Sequence, residues 1–370
     1  MLTPAAVRHA DCPKTMTYGP CGGVNADGTC EVAPTPCVFL GDALPVRWDG
    51  DGTGGGAPSR NTEAAAALVT GTGTGRPHPA VATTAGRDVL DILARRPLIM
   101  TGFPARAMVR DDIARTADEL RGRADAVLSG DAAGSRTQYP PAYRAVLMTN
   151  AGMRAWMGIN ARDRNRVALE GELAALQDIG VAGVHCVTGD HTRTGDRLDA
   201  QPVFDLEGTT LLPLARAQGL ATSFAESPDA PPAALRGQRV REKEQAGGML
   251  CLTQYCGDAE HVASFIERGR QAGTVAPVLP GVPLVVDRAG AELLASFHAA
   301  TLPTGYVHAL FAARDVRREG IRLAIEYGRS LLAVPGVSGV VVAGGVQPGD
   351  EQAYARALAT VAAELGGGSS

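Results

Sequence analysis

Residues 183 to 191 read Gly183-Val184-His185-Cys186-Val187-Thr188-Gly189-Asp190-His191, a short apolar run that ends on a glycine and a carboxylate. A run of this length bounded by turn residues is a buried strand, and the glycine lets the backbone pass close to whatever lies beside the acid. The same pattern recurs along the chain. Strands are expected at 97–101, 126–129, 156–159, 183–187, 221–224, 249–253, 276–279 and 339–342. Between them, apolar residues at three-to-four spacing predict helices such as 111–123, 164–178, 208–217, 259–271 and 313–332. Eight βα units in about 270 residues fit a (β/α)8 TIM barrel. An open doubly wound sheet is the alternative, but no G-x-G-x-x-G opens a helix after the first strand.

Composition narrows the function classes. The 370 residues are 45% apolar and 20% charged, enough for one large core or two modest ones. Thirty-five basic against 39 acidic residues give a net charge of -4, so no electrostatic footprint points to nucleic acid or an anionic membrane. No run of 18 apolar residues and no charged-then-apolar leader is present, so the chain is expected to be cytoplasmic. Residues 1–47 form a glycine- and proline-rich module with little helical periodicity, 48–87 a Gly/Ala/Thr-rich linker, and 88–366 the barrel.

The module holds four of the seven cysteines. Cys12, Cys21, Cys30 and Cys37 are spaced C-x8-C-x8-C-x6-C, a complete tetrahedral set of thiols in a segment too small to fold on apolar burial alone. The close C-x2-C to C-x4-C pair usual for structural zinc is absent, and the flanking prolines and glycines suit an iron-sulfur site, so a 4Fe-4S cluster is favoured over zinc. His9 is a neighbouring candidate, more simply a surface histidine. Cys186 and Cys251 read as small core hydrophobes, and Cys256 as a rim thiol with no partner histidine in its motif.

In a barrel the chemistry sits where strands end. Those ends carry Thr101 and Phe103, Ser129-Gly130-Asp131, Asn160, Thr188-Gly189-Asp190, Glu226, and Gln254-Tyr255. Asp190 either caps a turn or faces a ligand; Gln254 is either a structural amide or a reader of a heterocycle edge. His185 alternates with the strand and reads as a core or helix-facing residue and not a ligand, while His191 beside Asp190 is a candidate to line the site. Only two lysines occur, Lys14 and Lys243; Lys243 either pairs on a solvated helix face with Glu242 or Glu244, or meets a ligand.

The order VTGD (187–190), PVFDLEG (202–208), REKEQAGG (241–248), LTQYCGD (252–258) and APVLPGV (276–282) resembles the methylenetetrahydrofolate reductase family across 97–365. The stretch CPKTMTYGPCGGVNADGTCEVAPTPC (12–37) is similar to a cysteine-rich module that accompanies a subset of these reductases. The resemblance implies an oxidoreductase in which FAD, lying across the barrel mouth, delivers hydride to 5,10-methylenetetrahydrofolate. It implies that Ser129, Gly189, Asp190, Phe204 and Lys243 contact the flavin, and that Gln254 and Tyr255 contact the folate, with Asp190 and Gln254 acting in catalysis.

Two departures stand out. Where the family carries a catalytic glutamate on its first strand, this chain reads LIMTGFPA (98–105) with Thr101 at the matching position, which makes Asp131 and Glu226 the candidate acids. The family's histidine and arginine before Asp190 are replaced by Gly158 and Thr188. A threonine cannot supply a proton near neutral pH, so reduction of another N-methylene imine or hydrazone is the second reading. A non-catalytic folate-binding or electron-transfer subunit, feeding a redox partner through the cysteine module, is the third. The sequence is compatible with a homo-oligomer and does not identify the electron donor.

Overall fold

The computed structural model describes residues 11–40, 48, 79–104, 108–131, 135–296 and 300–367. His9, most of the linker and the end of the module lie outside them.

Nine parallel strands form a nearly closed barrel with alternating helices. The strands are β1 (Leu98–Gly102), β2 (Ala126–Ser129), β3 (Ala155–Asn160), β4 (Gly183–Val187), β5 (Thr222–Glu226), β6 (Leu250–Thr253), β7 (Val278–Leu279), β8 (Gly281–Pro283) and β9 (Gly339–Ala343). They follow one another in the order β7-β6-β5-β4-β3-β2-β1-β9-β8. The expected seventh strand, 276–279, is shortened to β7, and a strand that was not expected, β8, follows directly after Pro280, which has no N–H to donate to a ladder. β7 pairs with β6 through Cys251–Val278 and β8 with β9 through Gly281–Val341, so the two short strands bring the ends of the sheet together. Val278 also bridges Val337, on the β9 side.

Strand parity decides which side chains can reach a ligand, because successive residues point to opposite faces. Leu98, Met100, Ala126, Trp156, Leu250, Leu252, Leu279 and Val341 fill the barrel interior. Val89 of α1 (Thr84–Arg95) plugs its lower end. Ile99, Val127, Met157, Val184, Cys251 and Val340 face the helices instead. The helix α1 begins within the stretch read as linker; Thr83 caps it, and the preceding Ala82 N–H donates to Gly219 O at 2.7 Å.

The outer helices in chain order are α2 (Arg110–Leu120), α3 (Pro141–Asn150), α4 (Arg166–Ile179), α5 (Gly208–Ala217), α6 (Arg236–Gln245), α7 (Ala259–Gln271), α8 (Arg288–Ala295), α9 (Tyr306–Ala312), α10 (Val316–Leu332) and α11 (Glu351–Glu364). Side chains of Asn165, Asp287 and Asp315 accept first-turn N–H groups of α4, α8 and α10, a contribution of about 1 kcal/mol each. No helix among the described residues is long and apolar enough to cross a membrane.

The cysteine module sits over the C-terminal mouth of the barrel. Thr15 Oγ1 donates to Phe204 O at 2.6 Å, and Thr17 N–H donates to the Glu207 carboxylate at 3.0 Å. Two arginines of α6 reach up to module carbonyls: Arg236 to Pro20 O and Cys21 O, and Arg239 to Tyr18 O. These buried guanidinium groups bind the two parts through directional, charge-assisted contacts.

Candidate functional site

A cavity of about 380 Å³ opens at the mouth, below the module. Its walls come from the upper inward positions of β2 to β6, including Gly130, Gly158, Asn160, His185, Ala225 and Gln254. Small residues keep it open. A Cβ at Gly158 would stand 2.8 Å from Gly130 Cα, so no side chain fits there without moving the backbone.

Asp190 and Gln254, expected to share one site, both line this cavity. Asp190 is exposed and lies 3.9 Å from Arg136. Gly189 takes φ +90 beside it, and a Cβ there would meet Asn160 Cβ at 2.9 Å. Gln254 Oε1 accepts the Tyr255 N–H at 3.0 Å, which leaves its amide N–H groups for a ligand. Asp131 also lines the cavity as a held carboxylate, bound by Asn160 Nδ2 at 3.0 Å and by buried Arg162 at 3.1 Å. The arrangement supplies two acceptors, Asp131 and Asp190, and an amide donor, a set suited to a polar planar heterocycle and to a developing cation.

Other expected site residues are placed elsewhere, mostly because of parity. Thr101 shares the outward face of Ile99, is fully buried, and its hydroxyl has no partner among the described residues. The inward position at the end of β1 is Gly102, which carries no side chain. Ser129 likewise faces outward, to Arg144 of α3. Glu226 points into the helix layer, where Arg236 Nη1 at 3.0 Å and Lys243 Nζ at 2.8 Å hold its two oxygens. Burial alone would raise its pKa, but Lys243, Arg236 and Arg239 outweigh burial and hold it at about 2. It is therefore an ionised structural carboxylate and cannot donate a proton near neutrality.

Lys243 reaches the cavity edge, yet its ammonium is bound to Glu226 and to Ala225 O at 2.6 Å, so it is neither solvated nor free for a phosphate. Phe204 is buried with φ +41, and its ring packs 5.8 Å from His191, which caps the turn Thr192–Thr194. Tyr255 is buried, and its hydroxyl donates to Ala343 O at 3.1 Å. None of Phe204, His191 and Tyr255 lines the cavity. Cys256, expected at the rim, is buried, and burial pushes its thiol up to about 12.

The residue that sequence reading missed is His185. It points inward on β4 and forms part of the cavity wall, with Nδ1 2.8 Å from Ser223 Oγ.

Cys12, Cys21, Cys30 and Cys37 converge on a second, small cavity of about 30 Å³, together with Lys14 and Met16. None is in a disulfide. Backbone N–H groups approach the sulfurs: Val32 N–H points at Cys30 Sγ at 3.5 Å, those of Met16 and Lys14 at Cys12, and that of Phe39 at Cys37. Burial pushes the Cys37 thiol up to about 11 despite this. Among the described residues no group of three His, Cys, Asp or Glu side chains is arranged to hold a metal ion. Lys14 is buried and ion-paired with Glu31; burial opposes its charge, but Cys21, Glu31 and Asp190 outweigh burial and keep it protonated.

Comparison with known proteins agrees with this architecture. A protein of Clostridium thermocellum described as binding two copies of 5-methyl-5,6,7,8-tetrahydrofolic acid superposes with a TM-score of 0.54 at 12% identity, over 74% of this chain and 98% of that one. Oxaloacetate acetylhydrolase superposes less well, with a TM-score of 0.44 at 14% identity over 70% and 81% of the two chains. No curated protein matches the sequence. The family model described as "Methylene-tetrahydrofolate reductase C terminal" matches residues 3–42, and the model described as "Methylenetetrahydrofolate reductase" matches residues 127–341. With more than half its length so matched, the chain belongs to the methylenetetrahydrofolate reductase family.

Proposed function

We propose that the protein is a flavin-dependent reductase that transfers hydride to a methylene C=N carbon of a folate-type substrate, with 5,10-methylenetetrahydrofolate as the first candidate. The observation that carries this reading is the convergence of Asp190 and Gln254, from strands two apart, on one open cavity at the C-terminal mouth. The Clostridium thermocellum neighbour's folate ligand supports the same ligand class.

The cavity fits a flavin ring in its donor and acceptor set and in the glycine pair that keeps it open. Gly189, Asp190, Gly158 and Gly130 would hold the ring. Bound there, the flavin supplies the hydride. The chain's own residues position and polarise. Gln254 orients the substrate heterocycle through its free amide donors, Asp131 and Asp190 stabilise the cation that forms as the methylene bridge opens, and the docked module narrows access for water. The four thiols, three of them (Cys12, Cys30 and Cys37) approached by backbone N–H donors, suit a 4Fe-4S cluster, with zinc as the competing occupant.

A second reading is favoured by one observation. The first strand offers no acid to the cavity, since Thr101 faces the helices and Gly102 has no side chain. A substrate that already contains its electrophile, such as another N-methylene imine or hydrazone, would need none.

Anaerobic mixing of the reduced protein with methylenetetrahydrofolate tests the proposal. Flavin reoxidation with formation of the methyl product is expected. Binding without reoxidation would favour the other imine or a non-catalytic folate-binding subunit, and a protein purified without flavin absorbance would refute the hydride reading. Iron, sulfide and zinc analysis with a visible spectrum identifies the occupant of the cysteine site.

A further inference from the structure

Inside the barrel, three inward side chains on neighbouring strands form a chain of hydrogen bonds. Trp156 on β3 donates its indole N–H to Ser223 Oγ on β5 at 2.8 Å, and Ser223 Oγ stands 2.8 Å from His185 Nδ1 on β4. An indole nitrogen can only donate, so the serine oxygen is an acceptor at that end. Its single hydrogen has no other acceptor among the described residues and goes to His185 Nδ1. That nitrogen is therefore an acceptor, and a neutral imidazole must carry its hydrogen on Nε2.

The ring is neutral at working pH. Burial pushes its pKa down to about 4, and the nearby Lys243 ammonium acts in the same direction. Nε2 has no protein partner among the described residues, and His185 borders the cavity. Gly158, its register partner on β3, leaves the neighbouring wall without a side chain. Asn160, Lys243 and Arg239 also border the cavity, but Asn160 Nδ2 is turned to Asp131, Lys243 Nζ to Ala225 O and Glu226, and Arg239 Nη1 to Tyr18 O and Glu242, while Arg239 Nε, without a partner among the described residues, is buried away from the cavity surface.

We propose that His185 is the inner hydrogen-bond donor of the barrel cavity, its Nε2–H reading an acceptor atom on the deep edge of the bound heterocycle. The ligand class is a planar heterocycle with a carbonyl oxygen or an unprotonated ring nitrogen on that edge. This deepens the folate-type reading and rests on it. The role is positioning and selection of the ligand. It is not proton donation, because a neutral imidazole that gave up its Nε2 proton would be left as imidazolate.

Two measurements on the full chain test it. Nitrogen-15 spectra of histidine-labelled protein at pH 7, assigned by loss of the signal in His185→Gln, should show unprotonated Nδ1 and protonated Nε2. The Nε2–H resonance should shift when 5-methyltetrahydrofolate is added. The opposite tautomer, an imidazolium, or an unmoved resonance with ligand bound would overturn the proposal. By calorimetry with the same probe, His185→Leu should weaken binding by about tenfold, while His185→Gln, which keeps an N–H donor, retains most of it. Equal binding by wild type and His185→Leu would overturn this inference alone. Failure of the wild type to bind the probe would refute the folate reading and this inference with it.

Discussion

Replacing Glu226 by Gln isolates the buried charge cluster behind β5. The carboxylate accepts from Lys243 Nζ at 2.8 Å, Arg236 Nη1 at 3.0 Å and the Ser227 N–H at 3.2 Å, and it is 3% exposed. The amide keeps the shape but leaves two buried cations without their counter-charge, which costs about 3–5 kcal/mol. Proton linkage gives the same scale independently. A carboxyl held at about 2 instead of the ordinary 4.5 corresponds to about 3 kcal/mol at about 1.4 kcal/mol per unit. Because the folded-state value is the lower one, this stability is fully present above about pH 4.5 and is lost as pH falls toward 2. Urea unfolding at pH 7 should show the Glu226→Gln midpoint lower by about 1 M, given a slope of about 3 kcal/mol per M for a chain of this size. Adding Lys243→Met should recover part of the loss, since it removes one of the stranded charges. A Glu226→Gln protein as stable as the wild type at pH 7 would show that the cluster is not held as described.

Thr101→Val should preserve ligand binding and turnover and leave stability equal or raised by up to about 1 kcal/mol, because it removes a buried hydroxyl without a partner among the described residues; a large loss of turnover would restore Thr101 to the chemistry. Gly158→Val should abolish retention of the flavin, since its side chain starts 2.8 Å from Gly130 Cα, and a normal flavin spectrum in the variant would move the ring out of this cavity. Below pH 6.5, His185 should contribute to loss of stability. Its folded-state value of about 4 lies under the ordinary one, so the unfolded chain binds the extra proton, and His185→Gln should flatten the decline between pH 6.5 and 4 in thermal unfolding.

The barrel was legible because its strands are apolar runs bounded by turn residues: 126–129 and 183–187 match β2 and β4, and 208–217 and 259–271 match α5 and α7. The helix α6 was legible only as a solvated helix face around Lys243, because the face it buries is polar. Arg236, Arg239 and Glu242 occupy its buried positions, so no apolar periodicity marks it. Parity was hidden for a related reason. Strands of a barrel are buried on both faces, so hydropathy does not alternate and cannot say which side a residue takes. That is why Thr101, Ser129 and Glu226, placed at the rim by their position in sequence, turn toward the helices, and why His185, read as core, faces the cavity. The usable signal was the serine two residues into the next strand run: Ser223 pairs in register with His185, a polar pair that an all-apolar core would not hold.

The two cavities share a wall, and this bears on what the cysteine module is for. Lys14, Met16, Cys21 and Gly23 line both the space between the thiols and the barrel mouth. The Cys21 carbonyl is held by Arg236, and the same guanidinium holds Glu226 at the end of β5. A close-packed interior transmits displacement, and charge in a water-poor wall is weakly screened. Lys14 stands electrostatically between Cys21 and Asp190, and Arg236 joins the Cys21 carbonyl to Glu226 on β5. A mere tether would touch the barrel through exposed, exchangeable contacts. This module instead supplies part of the cavity wall and offers its backbone carbonyls to buried arginines, so the wall of the barrel cavity is complete only with the module in place.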